Sequence, residues 1–165
     1  MSSTAILLRE KNRMDGKDTL NTLKKLFNEL NYEYQIIDSN FNCWNENLSI
    51  EISVNNVIKT DIENSHEGLV IYVHEKNLYE DNQDFDWIRE GLDNAVIFEN
   101  ISHGKNIFLE IVYRYIMKYP DDYLWIEWVE PEVGYTQNDI KKIYEYRYTD
   151  INKSWLSQKP YYCIE

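Results

Sequence analysis

The sequence predicts an α+β fold: a single domain with a mixed or mostly antiparallel sheet and about four helices packed mainly on one of its faces. Three observations predict it. Apolar residues recur at helical steps in separate stretches, most regularly at Phe108, Ile111, Val112, Tyr115, Ile116 and Tyr119. Short runs of β-formers lie between those stretches, some alternating with polar residues and some continuous. The runs also follow one another directly in places, without the strict strand–helix alternation of a parallel sheet. A chain of 165 residues supplies one real core and is short for two.

Thr4 to Arg9 reads as a first strand. Met14-Asp15-Gly16 makes a turn, and Asp15 or Asp18 caps the helix that follows, because a carboxylate can accept a first-turn amide. Leu20, Leu23, Phe27 and Leu30 repeat on that helix with Leu26 alongside, and Asn31 suits its end. Tyr32 to Ile37 reads as a strand closed by the turn residues Asp38-Ser39-Asn40. Leu48, Ile50, Ile52 and Val54 alternate with Ser49, Glu51 and Ser53, the pattern of a strand buried on one side. Asn55-Asn56 reads as a hairpin turn into Val57-Ile58. Leu69 to Val73, after Gly68, is an apolar run suited to a central strand. Phe85, Ile88 and Leu92 keep helical spacing, which predicts a short helix over Asp84–Asn94, and Ala95 to Phe98 reads as a short strand.

The stretch from Gly104 to Glu130 organises the rest. Its helix puts Lys105, Glu110, Arg114 and Lys118 between the apolar positions, where they face water. Pro120 lacks an amide proton and disfavours a helical Tyr119, so the helix stops there. Tyr123 to Val129 is dense in β-formers on both alternating faces and is expected to be an inner strand. Thr136 then caps a last helix, with Asp139 completing a capping box. The aromatic tail, with Trp155, Tyr161 and Tyr162, is expected to dock on the body.

The formal charge is −12, from 17 basic and 29 acidic residues. Such a chain is repelled by nucleic acid and by anionic lipid, so direct binding to either is not expected. Its natural macromolecular partner is a basic protein. Cys43 and Cys163 stand far apart and make no disulfide framework, which fits a cytoplasmic protein. The N-terminal apolar run Ala5 to Leu8 is too short for a signal core, and no apolar stretch approaches a membrane span.

Reacting groups are scarce. His66, His74 and His103 are scattered and no HxxxH or CxxC pair exists, so no metal site is expected. The Asp81–Asp86 stretch lacks the alternation and central glycine of a calcium loop. No glycine-rich phosphate cradle and no GxSxG elbow is present, and Cys43 reads as a structural thiol; no cofactor is expected. Glu127 and Glu130 lie among Trp125 and Trp128, an arrangement also seen where carboxylates cleave sugars stacked on aromatic rings.

More distinctive is the mixing of acids with aromatics. Tyr79, Glu80, Asp81, Asp84, Asp86 and Trp87 form one such group; Asp121, Asp122, Glu127 and Glu130 form another around Tyr123 and Trp125. Interfaces gain most from Trp and Tyr anchors, and opposite charge speeds encounter. These ten residues are the candidate partner-binding set.

The order LEIVYRYIMKYPDDYLWIEWVE, followed by YTQNDIKKIY, spans Leu109 to Tyr144. It is similar to a group of small acidic bacterial proteins in which a helix ending in Pro-Asp-Asp precedes a Trp- and Glu-containing strand and a Thr-started helix. That group resembles the immunity proteins encoded beside polymorphic toxins. The resemblance implies cytosolic, stoichiometric inhibition of one toxin by direct binding, and it carries over no binding residue.

The leading expectation is therefore a non-enzymatic immunity protein that neutralises a basic, nuclease-type toxin. A phage or mobile-element inhibitor that mimics DNA charge against a host defence enzyme rests on the same physics. A small hydrolase using Glu127 or Glu130 is the enzymatic alternative.

Overall fold

The computed structural model describes residues 4–37, 49–56, 67–75, 83–101, 104–127, 129 and 131–146. Its elements follow as β1 (Thr4–Glu10), a 3₁₀ turn (Lys11–Arg13), α1 (Gly16–Glu29), β2 (Glu33–Ile36), β3 (Ser49–Asn56), β4 (Glu67–His74), β5 (Leu92–Glu99), α2 (Lys105–Lys118), β6 (Tyr123–Ile126) and α3 (Gln137–Glu145). The strands form one sheet in the order β2-β3-β4-β5-β1-β6, and every pairing is antiparallel. The α+β class stands, with three helices among the described residues rather than about four.

The sheet has two unlike faces. On one, Ala5 and Leu7, the β3 residues Ile50, Ile52 and Val54, the β4 residues Leu69, Ile71 and Val73, and Phe98 meet the apolar sides of all three helices. Seven residues of α2 are buried there, among them Ile107, Phe108, Ile111, Val112 and Tyr115. Each fully buried aliphatic or Phe side chain is worth roughly 1.5–3 kcal/mol, so burial rather than helix propensity fixes α2. The opposite face carries a smaller cluster: Ile6, Leu8 and Leu92, with Phe85, Ile88, Ile97, Tyr123 and Trp125 packed on it.

Local chemistry sets the boundaries. The Asp15 side chain accepts from the Asp18 amide at 3.1 Å and starts α1. Asn31 takes φ 58° just past its end, a left-handed position that Asn tolerates. Thr136 and Asp139 close the predicted capping box of α3. At the start of α2, a Cβ on Gly104 would lie 2.7 Å from the Gly68 carbonyl oxygen, so only glycine lets helix and strand approach this closely.

Four expectations need correction. The helix predicted over Asp84–Asn94 is instead a pair of turns over Asp84–Ile88, held by Asp86 N–H to Gln83 O (3.1 Å) and Ile88 N–H to Phe85 O (3.0 Å). Gly91 at φ 78° ends it, and β5 begins at Leu92, because pairing with β1 outweighs the weak helical preference of Asp93 and Asn94. β6 lies at the end of the strand order rather than inside it. Its outer edge is closed by Leu124 and Tyr135, which exchange hydrogen bonds of 2.9 and 2.8 Å. The strand also stops at Ile126, and Val129 turns back into the main core. Finally, Asn55 and Asn56 stay inside β3, opposite Gly68 and Glu67. Val57-Ile58 and the aromatic tail lie outside the described residues, and no described helix is long and apolar enough to cross a membrane.

Candidate functional site

Among the described residues, the helix-covered face holds one buried cation. Arg9 follows Leu7 in β1 by two positions, so its side chain points the same way, towards the helices. Its Nε donates to both oxygens of Asp122, at 3.2 and 3.1 Å, and Nη2 lies 3.1 Å from Oδ2. Nη1 donates to Thr19 Oγ1 at 3.0 Å, and Nη2 also donates to the Tyr115 hydroxyl. That hydroxyl in turn donates to Asp122 Oδ2 at 2.9 Å. The guanidinium carbon sits 3.8 Å from the Tyr119 ring centroid, a cation–π distance. Tyr119 donates to Asp18, which leaves the Thr22 hydroxyl as the donor in its 3.3 Å contact with Tyr119.

This network joins β1, α1, α2 and the turn after α2. Burial alone would lower the Arg9 guanidinium, but Tyr115 and Asp122 carry it above its usual value. Burial pushes the Asp122 carboxyl up, and Arg9 draws it back. Burial and then Asp122 push the Tyr115 hydroxyl well above the ordinary phenol range. Every polar group in the cluster has a partner, so its role is to hold layers together.

Asp122 is thus not where the sequence placed it. It is 3% exposed and committed to Arg9, so it cannot meet a partner. The adjacent Asp121 is exposed and pairs with Arg13 at 2.8 Å, near the β1 C-terminus. Glu127, at the other end of β6, is exposed and accepts from the Thr4 amide at 3.1 Å. Among the described residues nothing encloses it as the hydrolase reading requires. Tyr79, Glu80, Asp81 and Glu130 lie outside the described residues.

Asp84, Asp86 and Trp87 do share one feature. The turn Asp84–Ile88 lies on the second face of the sheet, clamped by Phe85 and Ile88. The Phe85 ring meets Trp125 edge-on at 5.4 Å. Ile88 packs so closely on Gly134 that a Cβ there would come within 2.8 Å of it. Anchored this way, the turn leaves Trp87 49% exposed, with Asp84 exposed and Asp86 half-buried.

The rest of that face was not read from the sequence. Register places Trp125, Ile6, Ile97, Tyr72 and Glu51 in one row across five strands. Thr4, Glu99, Val70, Ser53 and Gln35 make the next row. The turn covers the Trp125–Ile97 end; Tyr72, Val70, Glu51 and Glu99 are half-exposed and Gln35 is exposed. A hydrogen bond to Glu51, with burial and Glu99 adding to it, pushes the Tyr72 phenol up to about 12. The ring therefore stays neutral between its carboxylates. Burial lowers the pKa of His74, further along β4.

Charge follows the layers. The three helices hold eight Lys and Arg against five Asp and Glu. The six strands hold one, the inward-pointing Arg9, against six acids. No single stretch of sequence displays this, because it needs the strand register. Among the described residues no group of three His, Cys, Asp or Glu is placed to hold a metal ion. Comparison with protein-family models, with curated proteins and with solved structures finds no match for this chain.

Proposed function

We propose that this chain is a non-enzymatic binding protein of the immunity type, acting in the cytoplasm, which neutralises a cognate basic toxin by direct contact. The observation that carries the reading is the acidic turn with Trp87. A half-exposed indole beside Asp84 and Asp86, on a turn clamped by Phe85 and Ile88, is costly to leave in water and well suited to an interface. Tryptophan anchors dominate interface energies, and a rigid mount lowers the entropy lost on binding. The flanking carboxylates steer a basic surface towards it. A nuclease-type toxin is the natural target, since its nucleic-acid surface is basic.

The test is co-purification of this protein with the toxin encoded by the adjacent gene. The reading expects a one-to-one complex and loss of toxin activity in it. Absence of a complex at low salt overturns the reading.

A further inference from the structure

We propose that the partner's basic protein surface lies flat across the sheet face opposite the described helices, centred on Tyr72 between Glu51 and Glu99. The inference rests on the binding reading above but uses a different observation: the half of a sheet face that no described element covers, whose charged strand positions are all acidic. Among the described residues, no strand position on this face holds Lys or Arg, while Glu33, Glu51 and Glu99 point out from it. The helical side carries a surplus of cations and would repel the same partner.

The occupant is identified by chemistry. Carboxylates two strands apart, with a neutral phenol ring between them, suit arginine or lysine. A guanidinium can stack on the Tyr72 ring and donate to Glu51 or Glu99 without leaving its plane. Val70 supplies apolar contact beside it. A nucleic acid would meet only repulsion here. Size agrees as well. Four strands at ~4.8 Å spacing and ~20 Å of strand length give on the order of 400 Å², about half of one side of a standard interface. The Trp87 turn adds further contact area at the covered half of the same face.

Two arms test this. In the first, an octa-arginine peptide is titrated into the native protein at low salt and amide shifts are followed by NMR. Shifts centred on Glu51, Tyr72, Val70 and Glu99 are expected; shifts centred on the helices, or spread evenly, overturn the proposal. In the second, two double reversals with the same net charge are compared against the toxin: Glu51→Lys with Glu99→Lys, and Glu29→Lys with Glu145→Lys on the helices. The sheet pair should lose roughly 100-fold in affinity and the helix pair less than about threefold. Equal losses overturn the proposal. If the parent protein does not bind the toxin at all, the immunity reading falls, and the peptide map still decides the surface.

Discussion

Arg9 and Asp122 stand 113 positions apart in sequence, yet the Arg9 Nε reaches both carboxylate oxygens of Asp122 at 3.2 and 3.1 Å, and both side chains are 2% exposed. Removing one partner leaves the other charge buried and alone. Asp122→Ala should therefore cost about 3–5 kcal/mol in urea denaturation. Replacing both together, as Arg9→Met with Asp122→Leu, should recover much of that loss, because no unpaired charge remains. A loss below about 1 kcal/mol for Asp122→Ala contradicts the buried pairing.

Asp93 behaves differently. It is 3% exposed; Oδ1 accepts from the Asn94 amide at 2.7 Å, and Oδ2 is buried without a hydrogen-bond partner. Burial pushes its carboxyl up, with the Asn94 amide and Lys11 drawing it back. A folded-state pKa above the unfolded one contributes stability that is complete below the unfolded value, about 3.9, and is lost as pH rises through the folded value. Asp93→Asn removes the charged form, so it should stabilise the protein at pH 7 by about 1–3 kcal/mol and progressively less towards pH 3. His74, whose lowered pKa acts in the opposite sense, is common to both proteins and cancels in the comparison. A gain that stays constant with pH contradicts the assignment.

At Gly104, an added Cβ would stand 2.7 Å from the backbone oxygen of Gly68, which cannot swing aside. Gly104→Ala should lower stability by about 1–3 kcal/mol, and at this N-cap position alanine brings no compensating gain in helix formation. The thermal midpoint checks this; an unchanged or raised midpoint shows that α2 and β4 separate freely there.

The capping box offers a local control. Thr136→Ala removes the acceptor for the Asp139 amide at the start of α3 and should cost about 1 kcal/mol. Its effect should add to that of Gly104→Ala, since the two changes have no side-chain partner in common.

Local chemistry was legible in the sequence: the Asp15 cap, the Thr136–Asp139 box, the stop at Pro120 and the buried stripe of α2 all appear in the structure. Pairing was not legible. Phe85, Ile88 and Leu92 do meet in one cluster, but through a turn and a strand rather than a helix. Tyr123 to Ile126 is apolar on both faces because the helices cover one and Phe85 the other, which mimics an inner strand in composition. Asp122 and Asp121 are indistinguishable as neighbours in sequence; only the position of Arg9 decides which is buried. The acidic sheet face depends on Glu51, Tyr72 and Glu99, which lie on three separate strands.

Trp87 carries the binding account most directly. Trp87→Ala should leave the urea midpoint nearly unchanged, because the indole is 49% exposed. By contrast it should weaken binding to the toxin by roughly 30-fold or more, the signature of an interface anchor.

The decisive measurement is a calorimetric titration of the native protein with that toxin, repeated across salt from about 0.05 to about 0.5 M. The account predicts a one-to-one complex whose dissociation constant rises at least about tenfold over that range as the acidic surface is screened. No heat of binding at the lowest salt, or an affinity indifferent to salt, contradicts it.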